Sequence, residues 1–137
     1  MKAEEILEGS KLIAEFEGAA IKNGTISHLR HFSYAHFPKD VYDGMTLKVD
    51  LLQYPYSWEW LMPVVEKIES ISDPHHGYFS VFINSNGCTI QGTKLHLALQ
   101  DSSYGGVYFD EVVLDSKINA TFTAVVNFIT WYNAQTK

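Results

Sequence analysis

Apolar residues recur at three- and four-residue spacing in three stretches of the chain and alternate with polar residues in several shorter ones. In residues 3–17, Ile6, Gly9, Ser10, Ile13 and Phe16 share one side, with Leu7 and Ala14 beside them, and Glu4, Glu8, Lys11 and Glu15 lie opposite. This spacing predicts a helix. Glu4 and Glu5 suit its N-terminal dipole, and Gly18 is a stop signal. Glycine costs about 1 kcal/mol against alanine inside a helix. Gly9 and Ser10 on the apolar side therefore point to close approach of another element.

A second helix is predicted over Ser57–Ile71, with Ser57 as N-cap. Trp58, Leu61, Met62, Val65 and Ile68 form its apolar face, and Trp60, Val64 and Ile71 widen it. Pro63 removes a hydrogen bond at a cost of about 3 kcal/mol. Burying Trp58, Leu61 and Met62 contributes about 1.5–3 kcal/mol each, so the helix is expected to persist but to be kinked or widened near Glu59–Pro63. The third helix begins at Asp115 or Ser116 and runs to Asn133. Ile118, Phe122, Val125, Val126, Ile129 and Tyr132 repeat at helical spacing, Phe128 extends the face, and Thr123, Asn127 and Thr130 form the wet side. Both later helices carry apolar faces wider than one packing partner needs.

Period-two alternation marks the strands. Met45–Leu52 sets Met45, Leu47, Val49 and Leu51 against Thr46, Lys48, Asp50 and Leu52. Tyr78–Asn84 is apolar on both faces, as in a central strand. Asn84–Gly87 is a hairpin turn with glycine at positive φ, and Cys88–Gln91 returns from it. Lys94–Gln100 alternates cleanly, 101–106 is a loop, and Val107–Val113 is a strand or extended lead-in. Ile26–Tyr34 reads as extended after the Asn23-Gly24 turn signal, and Asp73–Gly77 reads as a loop. The whole predicts one α+β domain over residues 1–137. An antiparallel β-sheet is layered between three main helices as an alpha-beta-alpha sandwich, with an inserted or edge-strand region at 19–53.

At 137 residues the chain can bury one core without a metal or disulfide. Only 19% of residues are charged and 14% are aromatic, so apolar surface is available for a partner or for self-association. The net charge of −6 and the scattered lysines and arginines argue against a nucleic-acid partner. No apolar run reaches the ~18 residues of a membrane span. The acidic start M-K-A-E-E-I-L-E has no apolar signal-peptide core. A single cysteine, Cys88, fits a reducing compartment, and a cytoplasmic location is expected.

Three segments carry a resemblance: residues 12–18 (L-I-A-E-F-E-G), 54–69 (Y-P-Y-S-W-E-W-L-M-P-V-V-E-K-I-E) and 117–133 (K-I-N-A-T-F-T-A-V-V-N-F-I-T-W-Y-N). Together with their order, they resemble a group of short uncharacterised bacterial and phage proteins similar to the phage ABA-sandwich domain. The resemblance covers about half the chain and rests on core-helix motifs. It implies phage or mobile-element ancestry and a sheet layered between helices, and it brings no activity or catalytic residue with it. Glu59 stands where that group often has Asp.

Candidate chemistry is sparse. His28, His31 and His36 lie close together in sequence, and His75 and His76 are adjacent. Zinc needs three or four converging ligands, and in an extended segment i and i+3 face opposite ways, so no metal site and no cofactor are expected. Cys88 follows a turn on a strand, with no helix N-terminus to lower its pKa, and reads as a buried structural thiol. Glu66, Glu69, Asp110, Glu111 and Asp115 read as solvated carboxylates, and Asp115 as a helix cap. No phosphate loop, dinucleotide or nucleophile-elbow motif occurs.

The aromatics Tyr54, Tyr56, Trp58 and Trp60 alternate into the second helix. Trp58 is expected in the core. Tyr56, Trp60 and Trp131 are the candidate binding residues. The sequence thus points to a non-enzymatic interaction module of phage or mobile-element type, with a protein partner or a homodimer. The alternatives are a small-ligand binding protein with its pocket near Tyr56, Trp60 and the histidines, or a small hydrolase using histidine and carboxylates.

Overall fold

The computed structural model describes residues 2–27, 46–93 and 108–135. Among the described residues, three helices and two antiparallel sheets form an α+β fold: helices α1 (Ala3–Phe16), α2 (Trp58–Ser70) and α3 (Lys117–Gln135), with strands β1 (Ala20–Lys22), β2 (Thr25–Ser27), β3 (Thr46–Lys48), β4 (Ser72–Asp73), β5 (Gly77–Ile83), β6 (Gly87–Gly92) and β7 (Phe109–Val113). One sheet has the order β1-β2-β3 and the other β4-β5-β6-β7. The predicted strands at Lys94–Gln100 and 28–34, the loop 101–106 and the residues His28, His31 and His36 lie outside the described residues.

Helix α1 ends where Gly18 takes φ 96°. Ala19 N–H donates to the Ala14 carbonyl and Gly18 N–H to that of Glu15, both at 3.0 Å. These paired bonds satisfy carbonyls that the helix end would otherwise leave open. The chain then turns through Asn23 (φ 52°) and Gly24 (φ 76°), pairing Lys22 with Thr25. Positive φ at both central residues gives the tight hairpin that the Asn-Gly pair favours.

The alternation over Met45–Leu52 ends sooner than expected. Strand β3 stops at Lys48, and Val49–Leu51 forms a single 3-10 turn. At three residues per turn, Val49 and Leu52 share a side; both are buried, while Leu51, expected inward, is 51% exposed. The Asp73–Gly77 loop is likewise shorter, because Ser72 and Asp73 pair with Tyr78 and Gly77. At the next hairpin, Gly87 does not adopt positive φ. It lies in β6, where a Cβ would come within 2.9 Å of Asn84 Oδ1 and 3.2 Å of the Val112 carbonyl oxygen. The residue is needed there for space.

Helix α2 runs through Pro63 and buries Leu61, Val64, Val65 and Ile68. Trp58, expected in the core, is half-buried at its margin. Helix α3 is held at its start by Ser116, whose Oγ accepts from Asn119 N–H at 3.2 Å, and by Asp115, which accepts from the Asn119 amide at 3.0 Å. Its width is explained by its neighbours, since it packs on β6 and β7, on α1 and on α2. Ala120, Thr121, Phe122, Ala124, Val125, Phe128 and Ile129 are all buried around it. Gly9 of α1 meets this helix, and a Cβ there would sit 2.9 Å from Phe122 Cζ and 3.0 Å from Val126 Cγ2. The small residue permits the contact, as the sequence suggests.

Candidate functional site

Four features of the surface and its margins can carry chemistry or binding. The first is built by the turn between β4 and β5. Asp73 Oδ1 accepts from the backbone N–H groups of His75 and His76 and lies 2.9 Å from His76 Nδ1. Burial alone would raise the Asp73 pKa, but the ring and backbone hydrogen bonds from His76 and His75, with the charge of His76, bring it below the usual carboxylate value. The carboxylate fixes the turn and orients the imidazole. The half-buried His76 ring stacks on Phe79 at 5.8 Å and meets Trp131 edge-on at 4.9 Å. Trp131 also lies 4.6 Å from Tyr108 and 5.8 Å from Phe128.

An Asp–His pair invites a hydrolase reading, which requires a nucleophile within hydrogen-bond reach. Among the described residues, no serine, threonine or cysteine side chain bonds to His76. Cys88 is fully buried, and burial pushes its thiol up to about 11 despite a hydrogen bond with Thr121. It stays protonated at neutral pH, where a thiol is a weak nucleophile. The described residues form no group of three or more histidines, cysteines, aspartates or glutamates able to hold a metal.

The second feature is a shallow cavity of about 300 Å³ between α1 and the 3-10 turn, lined by Ala3, Ile6, Leu7, Ser10, Val49, Leu52 and Tyr56. Tyr56 stands over it, 65% exposed. Two residues before Tyr56, Tyr54 is buried and its hydroxyl donates to Glu17 Oε1 at 3.0 Å. Trp60 meets the Tyr54 ring edge-on at 5.3 Å. Burial raises the Glu17 pKa, against the lowering effects of the Tyr54 hydrogen bond and Lys67. Lys67 itself donates to the Phe16 carbonyl and lies over the Phe16 ring.

The third feature is a groove of about 470 Å³ between α1 and α3, with Glu5, Glu8, Gly9 and Leu12 on one side and Phe122, Thr123, Val126, Asn127 and Thr130 on the other. The fourth is the face of the four-stranded sheet that points away from α2 and α3. There Tyr78, Phe82, Phe109 and Val113 are 55%, 54%, 53% and 60% exposed.

The three candidate binding residues fall in three different surroundings. Tyr56 tops the α1 cavity, Trp60 leans on Tyr54, and Trp131 lies partly buried in the His76 cluster. The α1–α3 groove is not legible in the sequence, since pairing of two helices far apart in the chain is not local information. Its one signal was Gly9 on an apolar face. Asp73 is the partner of His76, and Asp-Pro-His-His-Gly carries the Asx-turn chemistry that makes it. No family model matches the chain, and no curated protein or solved structure matches it either.

Proposed function

We propose that this chain is a non-enzymatic interaction module of phage or mobile-element descent, acting in the cytoplasm, and that its partner on the open sheet face is a second copy of itself. The observation that carries the proposal is the row of exposed apolar side chains on that face. Alternation along the strands places Tyr78, Ser80 and Phe82 of β5 beside Thr89 and Gln91 of β6 and Phe109, Glu111 and Val113 of β7. Phe82 is level with Thr89 and Glu111, and Phe109 with Gln91 and Ser80. Glu111 is the single charge in this set. Contiguous exposed apolar surface of this kind marks interaction sites, and two such faces can stack as sheets do, about 10 Å apart. A twofold contact sets the same patch against itself, and a face with one carboxylate brings little like-charge repulsion.

The descent rests on the resemblance of residues 12–18, 54–69 and 117–133, which supply the end of α1, α2 with its lead-in, and α3. The cytoplasmic assignment is supported by the single buried thiol of Cys88. Among the described residues, no helix is long and apolar enough to cross a membrane.

Light scattering over a wide concentration range tests the proposal. The wild-type mass is expected to rise toward that of a dimer, while the double variant Phe82→Asp, Phe109→Asp stays monomeric with its circular dichroism unchanged. A wild type that is monomeric at the highest concentration reached, or a double variant that dimerises as the wild type does, contradicts it.

A further inference from the structure

The α1–α3 groove is independent of the sheet face and has the chemistry of a small-molecule site. Its volume of about 470 Å³ lies within the roughly 300–1,000 Å³ typical of ligand pockets. Leu12, Phe122 and Val126 give it an apolar floor, and the approach of the helices at Gly9 closes its base. Among the described residues its charged groups are Glu5 and Glu8, both exposed on the α1 side, and no lysine, arginine or histidine lines it. Glu8 pairs with Lys11 at 3.0 Å, but this is a surface pair of the kind worth little and easily exchanged.

The α3 wall supplies a second and separate sign. Thr121 and Thr130 of that helix each donate to the carbonyl four residues back, at 2.8 Å. Thr123 does not, and its Oγ1 is the buried side-chain polar atom left without a partner among the described residues. A buried hydroxyl without a partner is destabilising, so a bound group that supplies one is favoured. Thr123 lines the groove, and a hydroxyl oxygen can accept from the N–H of a bound molecule.

We infer that the groove between α1 and α3 binds an amphiphilic organic cation, a small molecule with an ammonium group on an aromatic or branched apolar body. The apolar body lies on Leu12, Phe122 and Val126. The ammonium group is held at the α1 rim by Glu5 and Glu8 and donates to Thr123 Oγ1. Apolar burial supplies affinity and the two carboxylates supply selection by charge.

A matched series tests this: 4-phenylbutylamine, 4-phenylbutanol and 4-phenylbutyrate, titrated into the ¹⁵N-labelled full chain and followed amide by amide. The amine should shift amides of residues 5–12 and 122–130 and bind about tenfold more tightly than the acid, with the alcohol between them, a difference near 1.4 kcal/mol. In Glu5→Gln, Glu8→Gln, amine affinity should fall about five- to tenfold, near 1 kcal/mol, while alcohol affinity is unchanged. Thr123→Val, which keeps the shape and removes the hydroxyl, should weaken the amine more than the alcohol. Both glutamates are exposed, so the unperturbed spectrum of the double variant reports that its fold is intact. Equal affinities across the series, shifts centred outside the two helices, or no shift with any member overturns the assignment.

Discussion

The two faces of the four-stranded sheet carry similar side chains and meet different surroundings. On one, Phe79, Ile90 and Cys88 are at most 2% exposed beneath α2 and α3. On the other, Tyr78 and Phe82 of the same strand are more than half exposed, with Phe109 and Val113 alongside. Strand β5 thus has apolar residues on both faces and, among the described residues, a helical cover on one. The difference comes from where the helices go. Helices α2 and α3 occupy the first face, while α1 packs on α3, β1 and the 3-10 turn. The wide face of α3, which in the sequence suggests an external partner, is used by three internal ones. The open sheet face is where apolar surface remains.

That contrast can be broken by substitution. Phe79 lies against Phe128 at 4.8 Å and beneath His76. Phe79→Ala should cost about 3–5 kcal/mol in chemical denaturation. Phe82→Ala, three residues on and facing the other way, should change the stability of the monomer by no more than about 0.5 kcal/mol. Equal losses at the two positions would mean that the open face is buried in the monomer.

Smaller changes sharpen the covered side. Tyr54→Phe removes the donor to Glu17 while keeping the ring against Trp60, and should cost about 1–2 kcal/mol, read from the midpoint of urea unfolding. Gly9→Ala gains about 1 kcal/mol of helix propensity but sets a methyl 2.9 Å from the buried Phe122 ring. Overpacking costs about 1–3 kcal/mol, so the net is a loss of about 1 kcal/mol. A more stable Gly9→Ala protein would show that α1 and α3 are not held at this separation.

The smallest effects concern pH. The folded-state pKa of Asp73 is lowered, so its contribution is present above the ordinary aspartate value and is lost as pH falls through the lower folded value. That of Glu17 is raised, so its contribution is complete below the ordinary glutamate value and is lost as pH rises through the higher folded value. Asp73→Asn should therefore flatten the acid limb of the stability curve, and Glu17→Gln the limb above it. Thermal unfolding across a pH series checks both, and unchanged limbs in either variant would contradict the corresponding geometry.

Much of the fold is legible in the sequence for physical reasons. Three helices show because their apolar repeats are long, and Gly18, Asn23-Gly24 and Ser116 show because caps and turns use local chemistry. The end of β3 at Lys48 is hidden, since a single 3-10 turn leaves Val49 and Leu52 apolar in a pattern that also fits a strand. The role of Gly87 is hidden for another reason, because its constraint comes from Asn84 and the neighbouring strand. The candidate sites depend still more on tertiary placement. Tyr56 is readable as exposed because it precedes the helix. Trp131 at the border of its helical repeat gives no sign of the His76, Phe79 and Tyr108 rings that enclose it. The pairing of Glu5 and Glu8 with the Phe122–Thr130 wall exists only once α1 lies on α3.

The proposed dimer joins two copies of the chain through the open sheet face. Isotope-filtered NMR on an equal mixture of labelled and unlabelled protein tests it most directly. Intermolecular contacts are expected from the rings of Tyr78, Phe82 and Phe109 and the methyls of Val113. Intermolecular contacts confined to other surfaces, or none in a sample concentrated enough to show association, would contradict it.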